Sequence, residues 1–97
     1  MTPPTKQSIL SFLTKHKSLL HNKYKVSKIG LFGSYATNRH KETSDIDILV
    51  DMPSNFDLYY DLKEFLENTF HKKIDLGLEK NIRSLIKKEI DKEIIYV

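Results

Sequence analysis

Apolar residues recur at intervals of three and four positions in three segments of the chain, and this spacing predicts three amphipathic helices. The first covers residues 3–21, the second runs from the Ser54-Asn55 pair to about Phe70, and the third covers residues 82–90. Either Ser54 or Asn55 can cap the second helix, because its side-chain oxygen can accept from a free backbone N–H group of the first turn.

Three further segments have the character of β-strands. Residues 44–51 and 72–78 alternate between apolar and polar side chains, and residues 26–32 are rich in β-branched and aliphatic side chains. The polar residues 34–43 allow at most a short helix, and the apolar run 94–97 allows a last strand. This order of elements predicts an α/β (α+β) fold class, in which helices pack against one small sheet.

The composition is that of a single globular domain. The chain has 97 residues, of which 39% are hydrophobic and 30% charged, and this balance excludes a disordered or collagen-like protein. Because there is no cysteine, a disulfide framework, a zinc knuckle and a thiol nucleophile are also excluded. No apolar run approaches the roughly 20 residues of a membrane helix, and residues 1–15 lack the core of a signal peptide. We therefore expect a cytoplasmic domain without a membrane partner.

Basic residues are concentrated at the start of the chain. The formal net charge is +3, yet residues 1–28 contain six lysines and no acidic residue, so the remainder is mildly acidic. Such a segment can attract a polyanion such as a nucleic acid, or it can be a solvated helix face. Only Arg39 and Arg83 are arginines, the residue type that suits phosphate and base contacts. We therefore favour the solvated face and do not expect direct nucleic-acid binding.

Asp45 and Asp47 are the first candidates for chemistry. They lie two positions apart on a predicted strand, so both side chains project from one face, with Cβ atoms about 6–7 Å apart. Two carboxylates at this separation can bind Mg²⁺, which prefers oxygen ligands and often bridges to substrate phosphates. Acidic pairs are also common on exposed strands, so this pair alone does not establish a metal site.

The Gly33-Ser34 pair strengthens that interpretation. Glycine lets the backbone approach a ligand closely, and Ser34 offers a hydroxyl and a backbone N–H group where a short helix can begin. Ten residues separate Ser34 from Asp45. On its own the pair is equally consistent with a plain turn, but a phosphate site beside a metal site would form a nucleoside triphosphate site.

These segments resemble a known family. Leu31-Phe-Gly-Ser-Tyr-Ala36, followed by Ser44-Asp-Ile-Asp-Ile-Leu-Val50, is similar to the signature of the minimal nucleotidyltransferase (MNT) family, which includes MntA-type antitoxins and belongs to the polymerase-β-like nucleotidyltransferase superfamily. The resemblance implies a small mixed sheet flanked by helices and Mg²⁺-dependent transfer of a nucleoside monophosphate from a triphosphate such as ATP. We expect one nucleotidyltransferase domain, 1–97, with a basic N-terminal helix in 1–22 and a catalytic core in 26–97.

The resemblance also implies roles for individual residues. Gly33 and Ser34 would hold the triphosphate, while Asp45 and Asp47 would bind Mg²⁺. Asp75, in Lys73-Ile-Asp-Leu76, stands where the family has a third carboxylate that serves as metal ligand or base. Asp45, Asp47 and Asp75 are thus the expected catalytic and metal-binding residues.

One part of the motif departs from the family. The usual Ala-Arg-Gly continuation reads Ala36-Thr37-Asn38 here, so an arginine and a glycine are missing. Asn38 can partly replace the glycine, because asparagine tolerates positive φ, and Arg39 can supply the nucleotide contact instead. Since the carboxylates are intact, we expect a working site.

The short chain limits the choice of acceptor. After the catalytic core is built, no residues remain for an acceptor-binding domain, so the acceptor is either small or part of a second protein. Minimal nucleotidyltransferases are typically paired with a HEPN-domain ribonuclease toxin, which they neutralise by binding and by transferring AMP to a tyrosine. The resemblance therefore implies the antitoxin of such a pair, with the N-terminal helix and residues 94–97 as contact surfaces. Two alternatives stay open: a catalytically silent binding module, and an enzyme that modifies a small hydroxylated acceptor.

Overall fold

The computed structural model describes residues 3–97, which form a four-stranded sheet with five helices. The helices are α1 (Lys6–Lys15), α2 (Lys17–Tyr24), α3 (Gly33–Ala36), α4 (Phe56–Phe70) and α5 (Ser84–Asp91), with a 3₁₀ turn at Glu79–Asn81. The strands are β1 (Lys28–Phe32), β2 (Ile46–Asp51), β3 (Ile74–Leu78) and β4 (Ile95–Tyr96). Among the described residues, no helix has the length and apolar character needed to cross a bilayer.

The sheet is mixed, as the resemblance implied. Its strand order is β3-β2-β1-β4, with β1 antiparallel to both β2 and β4, and with β2 parallel to β3. The register places Asp47 opposite Phe32 on one side and opposite Asp75 on the other. As a result, the C-terminal end of β1 and the N-terminal ends of β2 and β3 lie together at one end of the sheet.

One hydrophobic core lies between the sheet and helices α1, α2 and α4. The apolar positions predicted from periodicity in the strands and in the first two helices are largely buried there, among them Ile9, Leu13, Leu20, Ile29, Leu31, Ile46, Ile48, Val50, Leu62, Leu66 and Ile74. The N-terminal helices therefore pack into the same core as the sheet. The apolar side of the third predicted helix does not, because Leu85 and Ile86 of α5 are 78% and 53% exposed. Asn55 caps α4 by accepting from the Leu58 backbone N–H group at 3.1 Å, which decides between the two capping residues that the sequence allowed.

The prediction of one helix over residues 3–21 is wrong, because the helix is broken at His16. This residue has φ −105° and ψ 15°, and it ends α1 and begins α2. Its ring stacks on Phe12 with centroids 4.0 Å apart, and its Nδ1 lies 2.9 Å from the Phe12 carbonyl oxygen. The apolar spacing continues through the break, since residues of both helices reach the core, and so the pattern alone does not reveal it.

The second face of the sheet is partly covered by the C-terminal segment. Leu49 lies on this face yet is fully buried, and a Cβ atom on Gly30 would come within 2.8–2.9 Å of the Tyr96 and Ile94 side chains. β4 is hydrogen-bonded to β1, and residues 94–97 are half-buried. These residues complete the sheet at its β4 edge, and their contact with a partner stays a prediction.

Candidate active site

Three carboxylates lie near one another at the end of the sheet where β2 and β3 begin. Asp47 and Asp75 are direct neighbours in the parallel register of these strands, and their side chains are close enough to share a hydrogen bond. Asp45 directly precedes β2 and lies near enough to Asp47 for its charge to act on that carboxyl group. Asp45 and Asp75 are exposed, whereas Asp47 is half-buried.

This cluster carries unbalanced negative charge. Burial and the neighbouring carboxylates of Asp75, Asp45 and Glu93 raise the pKa of Asp47 from its ordinary 3.8 to about 6. Within residues 3–97, no lysine, arginine or histidine forms an ion pair with Asp45, Asp47 or Asp75. The arrangement is therefore suited to a cation or a polar ligand that enters from solution.

Gly33 lies directly against this cluster. Its φ of +74° is in the left-handed region, and a Cβ atom there would overlap the Asp47 Oδ2 atom and lie 2.9 Å from Asp47 Cγ. Only glycine fits both the backbone conformation and the space. The close approach brings the backbone of the Gly33-Ser34 turn next to the carboxylates.

The loop after this turn is held by backbone hydrogen bonds. The Thr37 N–H group donates to the Gly33 carbonyl oxygen at 3.2 Å, and the Arg39 N–H group donates to that of Ser34 at 2.8 Å. Asn38 has φ +58°, so the expectation that it replaces a glycine of positive φ is confirmed. The Arg39 side chain is exposed, and its contact with a nucleotide stays a prediction.

Two side chains of α4 bind the outer edge of β3 on either side of Asp75. Glu67 accepts from the Ile74 N–H group at 3.0 Å, and the Tyr59 hydroxyl donates to the Leu76 carbonyl oxygen at 2.5 Å. β3 is the last strand of the sheet on this side, so these bonds stand where a further strand would otherwise pair. They fix the backbone that carries Asp75.

The loop before Asp45 is braced in a similar way. The Lys72 ammonium group donates to the carbonyl oxygens of Glu42 and, at 3.4 Å, of Ser44. The Lys41 N–H group donates to the Ser44 hydroxyl at 2.9 Å. These hydrogen bonds fix the backbone just before Asp45, although the Asp45 side chain is exposed.

The three carboxylates are suitable ligands for Mg²⁺ by their chemistry, although their side chains do not converge on one point. Carboxylate oxygens are the protein ligands that Mg²⁺ prefers, and the pKa of Asp47 is raised by its burial and by the neighbouring carboxylates. In the part of the chain that the structure describes, no three His, Asp or Glu side chains converge closely enough to hold an ion. Binding of one Mg²⁺ ion by all three carboxylates would therefore require their side chains to rearrange.

Comparison with protein families identifies the family of the chain. The family model described as "Nucleotidyltransferase domain" matches residues 13–97, which is most of the chain. The chain belongs to the nucleotidyltransferase family. The match begins inside α1, so it includes part of the N-terminal helical region as well as the whole sheet.

Named relatives of this nucleotidyltransferase are close to it in length. A Methanocaldococcus jannaschii protein named "Putative protein adenylyltransferase" is 44% identical, over 96% of this chain and 98% of its own. The Thermococcus cleftensis protein named "Protein adenylyltransferase MntA" is 39% identical, over 96% of each chain. The homology therefore extends along nearly the full length of both proteins.

Solved structures share the fold. One described as a "putative minimal nucleotidyltransferase" superposes with a TM-score of 0.82 over 98% of each chain, at 21% identity. A toxin-antitoxin structure with AMP-PNP matches at a TM-score of 0.69 and 21% identity, over 96% of this chain and 72% of that one. A complex of tri-AMPylated Shewanella oneidensis HEPN toxin with MNT antitoxin matches at 0.59 and 20% identity, over 94% of this chain and 66% of the matched chain. The small mixed sheet with flanking helices is thus the fold of minimal nucleotidyltransferases.

Glu93 belongs to the site of this nucleotidyltransferase but was not among the residues predicted from the sequence. The Gly33 N–H group donates to Glu93 Oε1 at 3.1 Å, and Glu93 also contributes to the raised pKa of Asp47. Its position just before the apolar run 94–97 was the available signal, because a strand there that pairs antiparallel with β1 would begin near Gly33. The pairing register, which the sequence does not give, was needed to use that signal.

Asp51 lies away from this site although it shares the strand and face of Asp47. It stands at the far end of β2, opposite Lys28, and it is exposed. Tyr35 follows the Gly33-Ser34 turn but is buried in the core, where its ring stacks on His40 at a centroid distance of 4.0 Å. The candidate site therefore lies at the end of the sheet where β1 ends and β2 and β3 begin.

Proposed function

We propose that this nucleotidyltransferase transfers AMP from ATP to a partner protein, in a Mg²⁺-dependent reaction, and that it is the antitoxin of a HEPN/MNT toxin-antitoxin pair. The observation that carries the proposal is the placement of Asp47 and Asp75 on neighbouring strands beside the Gly33-Ser34 turn. Relatives named protein adenylyltransferases and the fold shared with an MNT antitoxin complex support it. The cytoplasm, which supplies ATP, is the compartment that this proposal implies.

The residues of the site can divide the work of the reaction. In this proposal, Gly33 and Ser34 hold the triphosphate, Arg39 adds a phosphate contact, and Asp45, Asp47 and Asp75 are the ligands for Mg²⁺. Mg²⁺, when bound, would neutralise the phosphate charge and favour departure of the leaving group. The charge imbalance around Asp47 supports the binding of a cation at this place.

The transfer itself is a displacement at the α-phosphorus of ATP. An acceptor hydroxyl oxygen forms a bond to this phosphorus, the bond to the oxygen that bridges to the β-phosphorus breaks, and pyrophosphate leaves. The hydroxyl proton can pass to the carboxylate of Asp75, which is exposed at the edge of the sheet. An exposed base suits an acceptor that another protein presents.

Incubation of the purified pair with labelled ATP tests this function. The wild-type protein should label a co-expressed HEPN partner only when Mg²⁺ is present, and mass spectrometry should find AMP on the partner. The double variant with Asp45→Asn and Asp47→Asn should abolish the label and the thermal stabilisation by Mg²⁺-ATP. Asp51→Asn is the matched control, because this carboxylate lies on the same strand but outside the site.

Two other outcomes would identify the alternatives. A tight complex with an unlabelled partner would indicate a catalytically silent binding module, which is the concern raised by Ala36-Thr37-Asn38 in place of the usual continuation. Label on an aminoglycoside in the absence of a partner would indicate a small hydroxylated acceptor. Either result would overturn the proposed transfer to a protein.

A further inference from the structure

Glu93 joins the C-terminal segment to the turn beside the carboxylates. Its Oε1 atom accepts from the Gly33 N–H group at 3.1 Å across sixty residues of sequence, and both residues are half-buried. Gly33 is the residue whose left-handed conformation and close contact with Asp47 define the turn. A hydrogen bond from this N–H group therefore fixes the orientation of the Phe32–Gly33 peptide bond, which leads into the Gly33-Ser34 turn.

The backbone of Glu93 is placed by the fold and not by this hydrogen bond alone. β4 pairs with β1 so that Leu31 faces Ile95, and continuation of this register brings Glu93 opposite Gly33. The Glu93 and Ile94 N–H groups both donate to the Ile90 carbonyl oxygen, at 3.0 and 2.9 Å. The Glu93 side chain thus reaches Gly33 from a backbone that is already fixed.

A carboxylate at this place is electrostatically unfavourable. Glu93 lies near enough to Asp47 for the two negative charges to repel, in a cluster that already contains Asp45 and Asp75. An uncharged acceptor such as glutamine could make the same hydrogen bond without repulsion. A glutamine would therefore keep the contact with Gly33 and remove the repulsion, so the hydrogen bond and the charge can be tested separately.

We propose that Glu93 is a positioning residue that holds the Gly33-Ser34 turn in the conformation that receives the nucleotide. It acts through the Gly33 N–H group and does not need to touch the reacting atoms. The C-terminal segment thereby becomes part of the active-site scaffold. This proposal rests on the proposed function, because it concerns binding of Mg²⁺-ATP at the same turn.

Three variants separate the hydrogen bond from the charge. Glu93→Ala removes both, whereas Glu93→Gln keeps an acceptor oxygen and removes the charge. Glu89→Ala is the matched control, since Glu89 is exposed on α5 and pairs only with Lys92 among the described residues. The melting temperature of each variant shows whether the fold is retained.

The first measurement is hydrogen exchange of the Gly33 amide by NMR in the protein without nucleotide. Exchange should become faster in Glu93→Ala and stay near the wild-type rate in Glu93→Gln and Glu89→Ala. Equal exchange in Glu93→Ala and wild type would overturn the Glu93 contact whatever the protein does with ATP.

The second measurement is the affinity for Mg²⁺-ATP, together with KM and kcat for AMP transfer. Glu93→Ala should raise Kd and KM by about three- to tenfold, the loss expected for one hydrogen bond, with a smaller change in kcat. Glu93→Gln should restore most of this loss. An unchanged KM in Glu93→Ala, or an equally large defect in Glu93→Gln, would overturn the proposal.

Two results distinguish this proposal from the function on which it rests. Tighter binding of Mg²⁺-ATP to Glu93→Ala would mean that Glu93 competes with the phosphates, which would overturn positioning while it supports nucleotide binding. Failure of the wild-type protein to bind Mg²⁺-ATP would overturn the proposed function, and with it the nucleotide part of this proposal. The hydrogen-exchange rate of the Gly33 amide would still show whether Glu93 accepts from this N–H group.

Discussion

Gly33 and Asp47 lie very close together in the candidate active site, and this proximity constrains both residues. The positive φ of Gly33 turns the backbone toward Asp47, and the absent side chain leaves room for the Asp47 carboxylate. Asp47 is in turn half-buried next to Asp75, so its negative charge is poorly solvated. Substitution of either residue should therefore change stability as well as activity.

Of the three possible glycine-to-alanine substitutions in this chain, Gly33→Ala should disrupt the site most. The new Cβ atom would overlap Asp47 Oδ2, and φ +74° is strained for alanine, at a cost of about 1–3 kcal/mol in the free energy of unfolding. We expect AMP transfer to fall by about a hundredfold, because the turn and Asp47 must move apart. Kinetics and denaturant unfolding check both effects.

Gly77→Ala is the control for this substitution. Its Cβ atom would lie 3.3 Å from Leu49 Cδ1 and 3.5 Å from Ile82 Cδ1, which small shifts of side-chain ends can accommodate. A Gly33→Ala protein that is as active and stable as Gly77→Ala would contradict the geometry of the turn.

Asp47→Asn should stabilise the metal-free protein at high pH. Because the folded-state pKa of Asp47 is about 6 against an ordinary 3.8, the folded protein binds this proton more tightly than the unfolded chain. The resulting stabilisation is fully present below pH 3.8 and is lost as the pH rises through about 6. Above that pH the charged carboxylate costs on the order of 1 kcal/mol, a value reduced for solvent screening of this half-exposed group.

Thermal unfolding in EDTA at pH 4 and pH 8 measures this effect. The gain in melting temperature of Asp47→Asn over wild type should be larger at pH 8 than at pH 4. Asp51→Asn makes the same chemical change on the exposed end of the same strand and is the control for this comparison. A gain of equal size at both pH values would refute the electrostatic explanation.

Contacts between secondary-structure elements fix the backbone of the site. α4 begins at the Asn55 cap, and through Glu67 and Tyr59 it binds the edge of β3 on both sides of Asp75. β4 brings Glu93 to the end of β1. Since the acidic side chains of the site are carried by different elements, the site depends on how these elements pack together.

Asn55→Ala should destabilise the protein by about 1 kcal/mol. It removes the side-chain oxygen that accepts from the Leu58 N–H group at 3.1 Å, so a backbone donor at the start of α4 loses its partner. Asn68→Ala is the matched control, because Asn68 is exposed inside the same helix and alanine has the higher helix propensity. Urea denaturation should show Asn55→Ala to be less stable than wild type, and Asn68→Ala to be equal or slightly more stable. The reverse order would contradict the cap.

The whole molecule depends on one small core. Helices α1, α2 and α4 bury their apolar faces against one face of a four-stranded sheet, and the C-terminal segment covers part of the other. Several large apolar residues remain outside the core, including Phe56 and Leu85, which are 77% and 78% exposed. A protein of this size typically has a free energy of unfolding of only about 5–10 kcal/mol. Loss of one core side chain is therefore a large fraction of the total.

Leu62→Ala should lower the melting temperature by about 10 °C or more. Leu62 is fully buried, and truncation of such a leucine costs about 2–5 kcal/mol through lost burial and the remaining cavity. Leu85→Ala makes the same chemical change at a side chain that is 78% exposed, and its effect should stay within about 0.5 kcal/mol. Differential scanning calorimetry of the two variants compares them directly. Similar losses in both would contradict the location of the core.

The periodicity of the sequence indicated which segments are helices and strands, and it predicted that Asp45 and Asp47 share one face. Both features follow from local backbone geometry, since side chains alternate along any strand and recur every three to four residues along any helix. The break at His16 does not interrupt this periodicity, because apolar positions on both sides of it reach the same core.

Only the tertiary structure decided which distant residues meet. The parallel register of β2 and β3 sets Asp75 beside Asp47, where the family resemblance had implied it, and the pairing of β4 with β1 brings Glu93 to Gly33. Strand order and register arise from long-range packing of the whole sheet against its helices, and a shift by one residue would move every side chain to the opposite face. For this reason the residue types of the site could be identified from the sequence, whereas its assembly required the fold.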